Sequence, residues 1–310
     1  MAENITNWHL VLFAEGSYDL RAAGRRLKRQ AKESGLFSTI TLDNKRTLVK
    51  NHSDFYFTFK EFISKNPRGY GKWIWKPYLI LSKLNEIPSG DGVIYLDSGC
   101  YFNLKTENAR LRFTDYLTMA KKHGSLAMQL YDFEFSSPDL TDSRHSKPFL
   151  LDFPPIKEDH YQTNQVQAGI VFLINNSQNL EFLTQWHKLT IYYNQLLSDK
   201  SYLVKNSIFV EDFNWDQSIF SLLYKQSEFF CLKDETYFSP NWFEGERFPI
   251  WAMRWKRGSD PFRFDYHNLY EIPISFVDSK RIRLLASCRY RLDLLLKQSH
   301  FVSKIKRFTQ

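Results

Sequence analysis

Asp97 closes the apolar run Val93-Ile94-Tyr95-Leu96 and is followed by Ser98 and Gly99. A carboxylate there is aimed beyond the carboxyl end of a strand, where open α/β sheets bind ligands. Gly99 lets backbone approach such a ligand closely. One helix earlier stands Gly69-Tyr70-Gly71-Lys72-Trp73-Ile74-Trp75-Lys76-Pro77. Pro77 suits the first turn of a helix running through Leu84, which gathers Lys72, Trp73, Trp75 and Lys76 at its N-terminus. A cation is unfavourable at that end of a helix, whereas an anion is favourable. A diphosphate between Lys76 and Asp97 satisfies both, with or without a divalent cation. Mg²⁺ and its relatives need only one or two protein carboxylates besides phosphate oxygens. Read singly, Asp97 is equally a turn residue and Lys76 a solvated charge; the combination points to chemistry.

The elements that must hold these residues are legible around them. Residues 8–14 read as a buried strand, Ser17 as the cap of a helix with apolar positions at Leu20, Ala23, Leu27 and Ala31, and Gly35 as its stop. Residues 39–42 resume as a strand. This strand–helix–strand opening predicts an α/β domain built on a mixed, mainly parallel, Rossmann-like sheet flanked by helices. It contains neither G-x-G-x-x-G nor a Walker A loop, which speaks against a dehydrogenase or a P-loop enzyme. Further strands are expected at 126–131, 168–174 and 229–232, and helices at 179–197 and 216–224. Residues 133–165 contain Pro138, Pro148, Pro154 and Pro155 and read as a long irregular loop, of the kind that forms lids and binding loops.

Taken together, G-x-W-x-W-K-P, a helix, and a strand ending in Tyr95-Leu96-Asp97-Ser98-Gly99 resemble bacterial capsule and surface-polysaccharide glycosyltransferases of the GT-A fold. The resemblance runs from about residue 8 to 257. It takes in Gln165-Val166-Gln167-Ala168-Gly169-Ile170, similar to a strand on the acceptor side, and Asn214-Trp215-Asp216-Gln217, similar to a D-Q helix start near the transferred sugar. It implies a nucleotide-sugar donor held by Lys72, Trp73, Trp75, Lys76, Asp97, Ser98, Gly99, Gln167 and Gln217, and a glycan or lipid-linked acceptor. Asp97 is the implied metal ligand, for Mn²⁺ or Mg²⁺. Gly99 replaces the second carboxylate of the family's D-x-D motif, so Asp97 stands alone and a metal is not secured. Its loss favours a second reading, a non-catalytic sugar-nucleotide-binding or membrane-peripheral scaffold. His267 is a further metal candidate by analogy, although a lone histidine is more often structural. Asp216 is the first candidate for the base that transfer requires, with an N-cap as its structural alternative; Asp132 and Glu134 are the next.

Composition bounds these readings. The chain has 310 residues with net charge +8, and residues 279–310 hold nine basic side chains against the single acid Asp293, so all the excess lies there. The formally neutral remainder speaks against a nucleic-acid-binding core. We therefore expect a catalytic domain over 1–260 and a basic helical appendage over 261–310. That appendage mixes its charges with leucines and suits an anionic membrane surface, or equally packs on the domain; Arg254, Lys256 and Arg257 precede it and are available to phosphate. Cys100, Cys231 and Cys288 form neither a metal spacing nor a disulfide framework. No apolar run reaches the ~20 residues of a membrane span, and residues 1–9 do not resemble a signal peptide. The expectation is a cytoplasmic protein, peripheral on the inner face of the membrane.

Overall fold

The computed structural model describes residues 6–131, 140–146, 157–196, 215–238 and 242–258. The predicted α/β class is observed. Six strands form one sheet in the order β2-β1-β3-β6-β5-β7, with β1 Trp8–Phe13, β2 Thr39–Asp43, β3 Gly92–Asp97, β5 Ser125–Gln129, β6 Val166–Ile174 and β7 Cys231–Lys233. Only β6 runs against the rest, pairing antiparallel with both β3 and β5. A two-stranded ribbon, β4 Tyr101–Phe102 with β8 Ile250–Trp251, lies apart from it.

The central strands read as unbroken apolar runs because helices cover both faces. On β3, Val93 and Tyr95 point to one core and Ile94 and Leu96 to the other, as the two-residue period of a strand requires. The first core is closed by α3 Ser53–Lys65, α4 Trp75–Glu86, α8 Ser177–Leu196 and α9 Trp215–Gln226. The second is closed by α1 Tyr18–Ser34 and α5 Glu107–His123. The α1 boundaries follow from local chemistry. Ser17 Oγ accepts from the Leu20 amide at 3.2 Å, and Gly35 ends the helix in the left-handed region at φ 67°.

Three helices went unread in the sequence. They are α2 Lys45–Asn51, capped by Asn44 and Thr47, together with α3 and α5. α2 is short and α5 richly charged, so their apolar period is weak, whereas Phe55, Phe59, Phe62 and Ile63 of α3 do follow the helical spacing and were a usable signal. The expected loop over 133–165 carries two short helices in its described parts, α6 Asp142–His145 and α7 Glu158–Gln162. The appendage over 261–310 lies outside the described residues, as do Asp132, Glu134, His267 and Cys288.

Topology dictates where a site can form. The connection leaving β1 runs to β2 on one side and that leaving β3 runs to β5 on the other, so a switch point lies at the carboxyl ends of β1 and β3. Helices α4 and α9 each lead into a strand of the parallel set, β3 and β7. Their N-termini therefore sit at the same edge as the strands' carboxyl ends.

Candidate functional site

Three charged side chains converge at that edge. Asp97 ends β3 on the face that carries Tyr95, two residues earlier. Lys76 lies in the first turn of α4 and Asp216 in the first turn of α9. Lys76 Nζ stands 2.6 Å from Asp216 Oδ2 and 3.3 Å from Asp97 Oδ1, and donates to the Ala168 carbonyl at 3.3 Å. The Lys76–Asp216 contact is a buried ion pair. The Tyr95 hydroxyl donates to Asp97 Oδ1 at 2.6 Å, and its ring lies beneath the ammonium, 5.2 Å from centroid to Nζ. Burial separates the two acids: the Asp97 side chain is 45% exposed, that of Asp216 8%.

The electrostatics follow from that burial. Burial alone would push the Lys76 ammonium down, but Asp216 and Asp97 outweigh it and hold its pKa above the ordinary value. Burial pushes the Asp216 carboxyl up, with Lys76 opposing and Asp97 adding to the rise. Burial, reinforced by Asp97, keeps the Tyr95 hydroxyl protonated and a donor.

Backbone features build the cluster. Between the pairs Ala127–Val171 and Gln129–Val166, β6 threads residues 167–170 opposite Met128 alone. Such a bulge interrupts the ladder, and here the Ala168 carbonyl turns to Lys76. Gly169 lies under Asp97; a Cβ there would come 2.8 Å from Asp97 Oδ2. On the other side, residues 69–73 all take positive φ, from 51° to 84°. Amides of Lys72 and Trp73 bond the carbonyls of Arg68 and Gly69, so the segment is a single left-handed helical turn. It costs roughly 1–2 kcal/mol at each non-glycine residue. Trp75 Nε1 fastens it through the Gly69 carbonyl at 2.9 Å. The turn reverses directly into α4 and so delivers Lys76.

No protein-family model and no curated protein sequence matches this chain. Among solved structures it is similar to the apo form of mouse xyloside xylosyltransferase 1, with a TM-score of 0.36 and 12% identity over 75% of this chain and 87% of that one. A likeness of that size says nothing about the chemistry of the site.

The geometry revises several expectations. The anion that accepts Lys76 at a helix N-terminus is supplied by the protein itself. With 3.3 Å between Lys76 and Asp97, a diphosphate does not fit between them. Asp216, expected as a free base, is locked against Lys76. Trp75 is core: it stacks on Phe13 with centroids 3.7 Å apart. Gly99 opens onto the chain rather than a ligand, since a Cβ there would meet the Arg254 Cα at 3.0 Å. Ser98 presents its carbonyl to Arg26 at 3.4 Å. Gln167 donates to Asp234 at 2.9 Å and Thr236 at 3.0 Å, and Gln217 donates to Gln165 at 3.0 Å, so both amides brace neighbouring elements. Lys72 and Trp73 remain half-buried beside the left-handed turn, and burial pushes the Lys72 ammonium down to about 8.

Other contributors were not singled out in the sequence. Buried Arg26 donates to the carbonyls of Ser98, Cys100, Trp255 and Arg257, stapling the Asp97 turn to 255–257. A charge on the otherwise apolar stripe of α1 was its signal. Asp142, fully buried, accepts from Ser146, Gln165, Ser221 and Lys225 and pins α6 to α9. Asp234 directly follows β7, much as Asp97 closes β3, which was a usable signal.

A cation held by Asp97 was an expectation of the resemblance. Asp97 Oδ1 is taken by Tyr95 and Lys76, and an ammonium already fills the space between Asp97 and Asp216. Among the described residues no group of three or more His, Cys, Asp or Glu gathers. With Lys76 between them, Asp97 and Asp216 do not fit a metal held by both carboxylates.

Proposed function

We propose that this chain is a glycosyltransferase that moves a sugar from a nucleotide-sugar donor to a glycan or lipid-linked acceptor in surface polysaccharide synthesis. The observation that carries the reading is the meeting of Asp97, Lys76 and Asp216 at the carboxyl edge of the sheet, beside its switch point. Lys76 supplies in space the positive charge beside Asp97 that the lost second carboxylate of the motif would otherwise help a metal to bring, which weakens the case for a degenerate scaffold.

In the reaction an acceptor hydroxyl attacks the anomeric carbon, the bond to the diphosphate breaks, and the hydroxyl proton passes to a base. Asp97 is the more exposed carboxylate and is the one assigned to the ligand. Asp216 and Tyr95 hold it in place through Lys76 and through Oδ1. This cluster carries one positive and two negative charges, so it suits the sugar and not the diphosphate. The diphosphate is assigned to basic groups on the segments that flank Lys76 and Asp97 in the chain and in space. Lys72 is one; exposed Arg254 is the other, with its guanidinium carbon 6.0 Å from the Tyr237 ring centroid and its backbone against Gly99. Such fixed cations stabilise charge as it develops on the leaving group.

The test is a thermal-shift series with UDP-, GDP-, CMP- and dTDP-sugars, followed by hydrolysis of the best donor without acceptor. A ligand that binds only the native state raises the melting temperature. One nucleotide family is expected to shift the protein, and Asp97→Asn to cut hydrolysis by at least about 100-fold. No shift with any of them would overturn the transferase reading. A shift with no hydrolysis would favour the sugar-nucleotide-binding scaffold.

A further inference from the structure

We propose that the Lys76 ammonium is the resident cation of this site, filling the place between Asp97 and Asp216 that a divalent metal would otherwise take. An ammonium has three donors and no acceptor. Three oxygens surround this one: Asp216 Oδ2 at 2.6 Å, Asp97 Oδ1 at 3.3 Å and the Ala168 carbonyl at 3.3 Å. The third exists because the bulge in β6 releases the Ala168 carbonyl from the ladder. The position is also enclosed. Lys76 is 3% exposed, and the Tyr95 ring lies beneath it.

A metal placed beside this arrangement meets a fixed positive charge, which repels it, and is offered a single carboxylate oxygen. Asp97 Oδ1 already accepts from Tyr95, and only Oδ2, over Gly169, is open. Hard divalent cations take six or more oxygen ligands and rely on carboxylates for charge. Lys76 delivers the same charge balance covalently, from a helix whose start is fixed by the left-handed turn at 69–73. The two acids then need no metal to coexist, and the site is complete once the chain is folded.

The metal titration is independent of the transferase reading; the donor arm rests on it. Mn²⁺ is titrated into the full chain and the free ion followed by electron paramagnetic resonance. No saturable binding in the micromolar range is expected. Lys76→Met leaves two carboxylates facing each other across an empty place, and is expected to bind Mn²⁺ at least about tenfold more tightly than the unaltered chain. Saturable micromolar binding by the unaltered chain that is lost in Asp97→Asn would overturn the proposal. So would a folded Lys76→Met chain with no gain in Mn²⁺ affinity. The titration of the unaltered chain decides the matter even if that variant does not fold. In the donor arm, a metal that clamps the leaving diphosphate contributes several powers of ten to rate. Donor hydrolysis in excess EDTA is therefore expected to fall by less than about tenfold, and a loss of about 100-fold restored by Mn²⁺ would overturn the proposal. Should no sugar nucleotide bind at all, the transferase reading fails while the Mn²⁺ titration still reports on Lys76.

Discussion

The ammonium of Lys76 sits buried at a helix N-terminus and stays charged, because two carboxylates meet it at 2.6 and 3.3 Å. Asp97 and Lys76 were legible from sequence, since an acid after an apolar strand and a lysine before a proline-opened helix are local patterns. Their partnership with Asp216 was not, because Asp216 reaches them only when α9 packs on the sheet. Asp234 shows the same limit and gives a prediction. It is 2% exposed, and burial pushes its carboxyl up to about 6 despite three hydrogen bonds from Thr236 and Gln167. Between its ordinary value near 4 and its folded value, the folded chain holds a proton that the unfolded chain has released. The folded state thus binds more protons there, and this group's contribution to stability is lost as pH rises through the window. The full loss is roughly 2–3 kcal/mol. Asp234→Asn removes it, so urea unfolding at about pH 4 and about pH 7 is expected to show a flatter dependence than the unaltered chain. An identical slope would assign the effect to other carboxyls.

Helix α4 depends on what precedes it. The sequence placed its start near Pro77, and the helix begins at Trp75. The left-handed turn at 69–73 was unreadable, since Tyr70, Lys72 and Trp73 disfavour positive φ and hold it only under tertiary packing. Gly71 is the point where the turn presses on α3: its φ is 84°, and a Cβ would come 2.7 Å from Ile63 Cγ1. Gly71→Ala is expected to cost about 2–4 kcal/mol, combining the backbone penalty with overpacking. Gly35→Ala is the control, having φ 67° but open space around the added carbon, and should cost only about 1 kcal/mol. Equal losses in chemical denaturation would mean that packing against α3 contributes nothing. That β6 is the antiparallel strand of the expected mixed sheet was not readable, because a buried strand has the same apolar composition in either direction.

The distribution of charge over the chain divides it more sharply than any boundary in its folding pattern. The +8 excess lies wholly in residues 279–310, and none of the described helices is long and apolar enough to cross a membrane. A surface-bound enzyme with a basic anchor predicts that the full chain co-sediments with vesicles containing anionic lipid and that removal of 261–310 abolishes this. Attraction should also weaken with salt, as charges in an aqueous headgroup layer are screened. Co-sedimentation unchanged by the deletion would remove the tail from that role. Residue order was enough to establish the α/β class, the first strand–helix–strand unit with its Ser17 and Gly35 boundaries, and the edge at which Asp97 stands. Those rest on periodicity and capping, which act over a few residues. Folding alone decided that Lys76 is spent on Asp97 and Asp216, that Gln167 and Gln217 brace rather than reach outward, and that Arg26 and Asp142 fasten the surrounding turns. Apart from the local Asp142–Ser146 bond, each of those contacts joins residues far apart in the chain, and low-dielectric burial sets its strength. Neither property is written in the neighbours of any one residue.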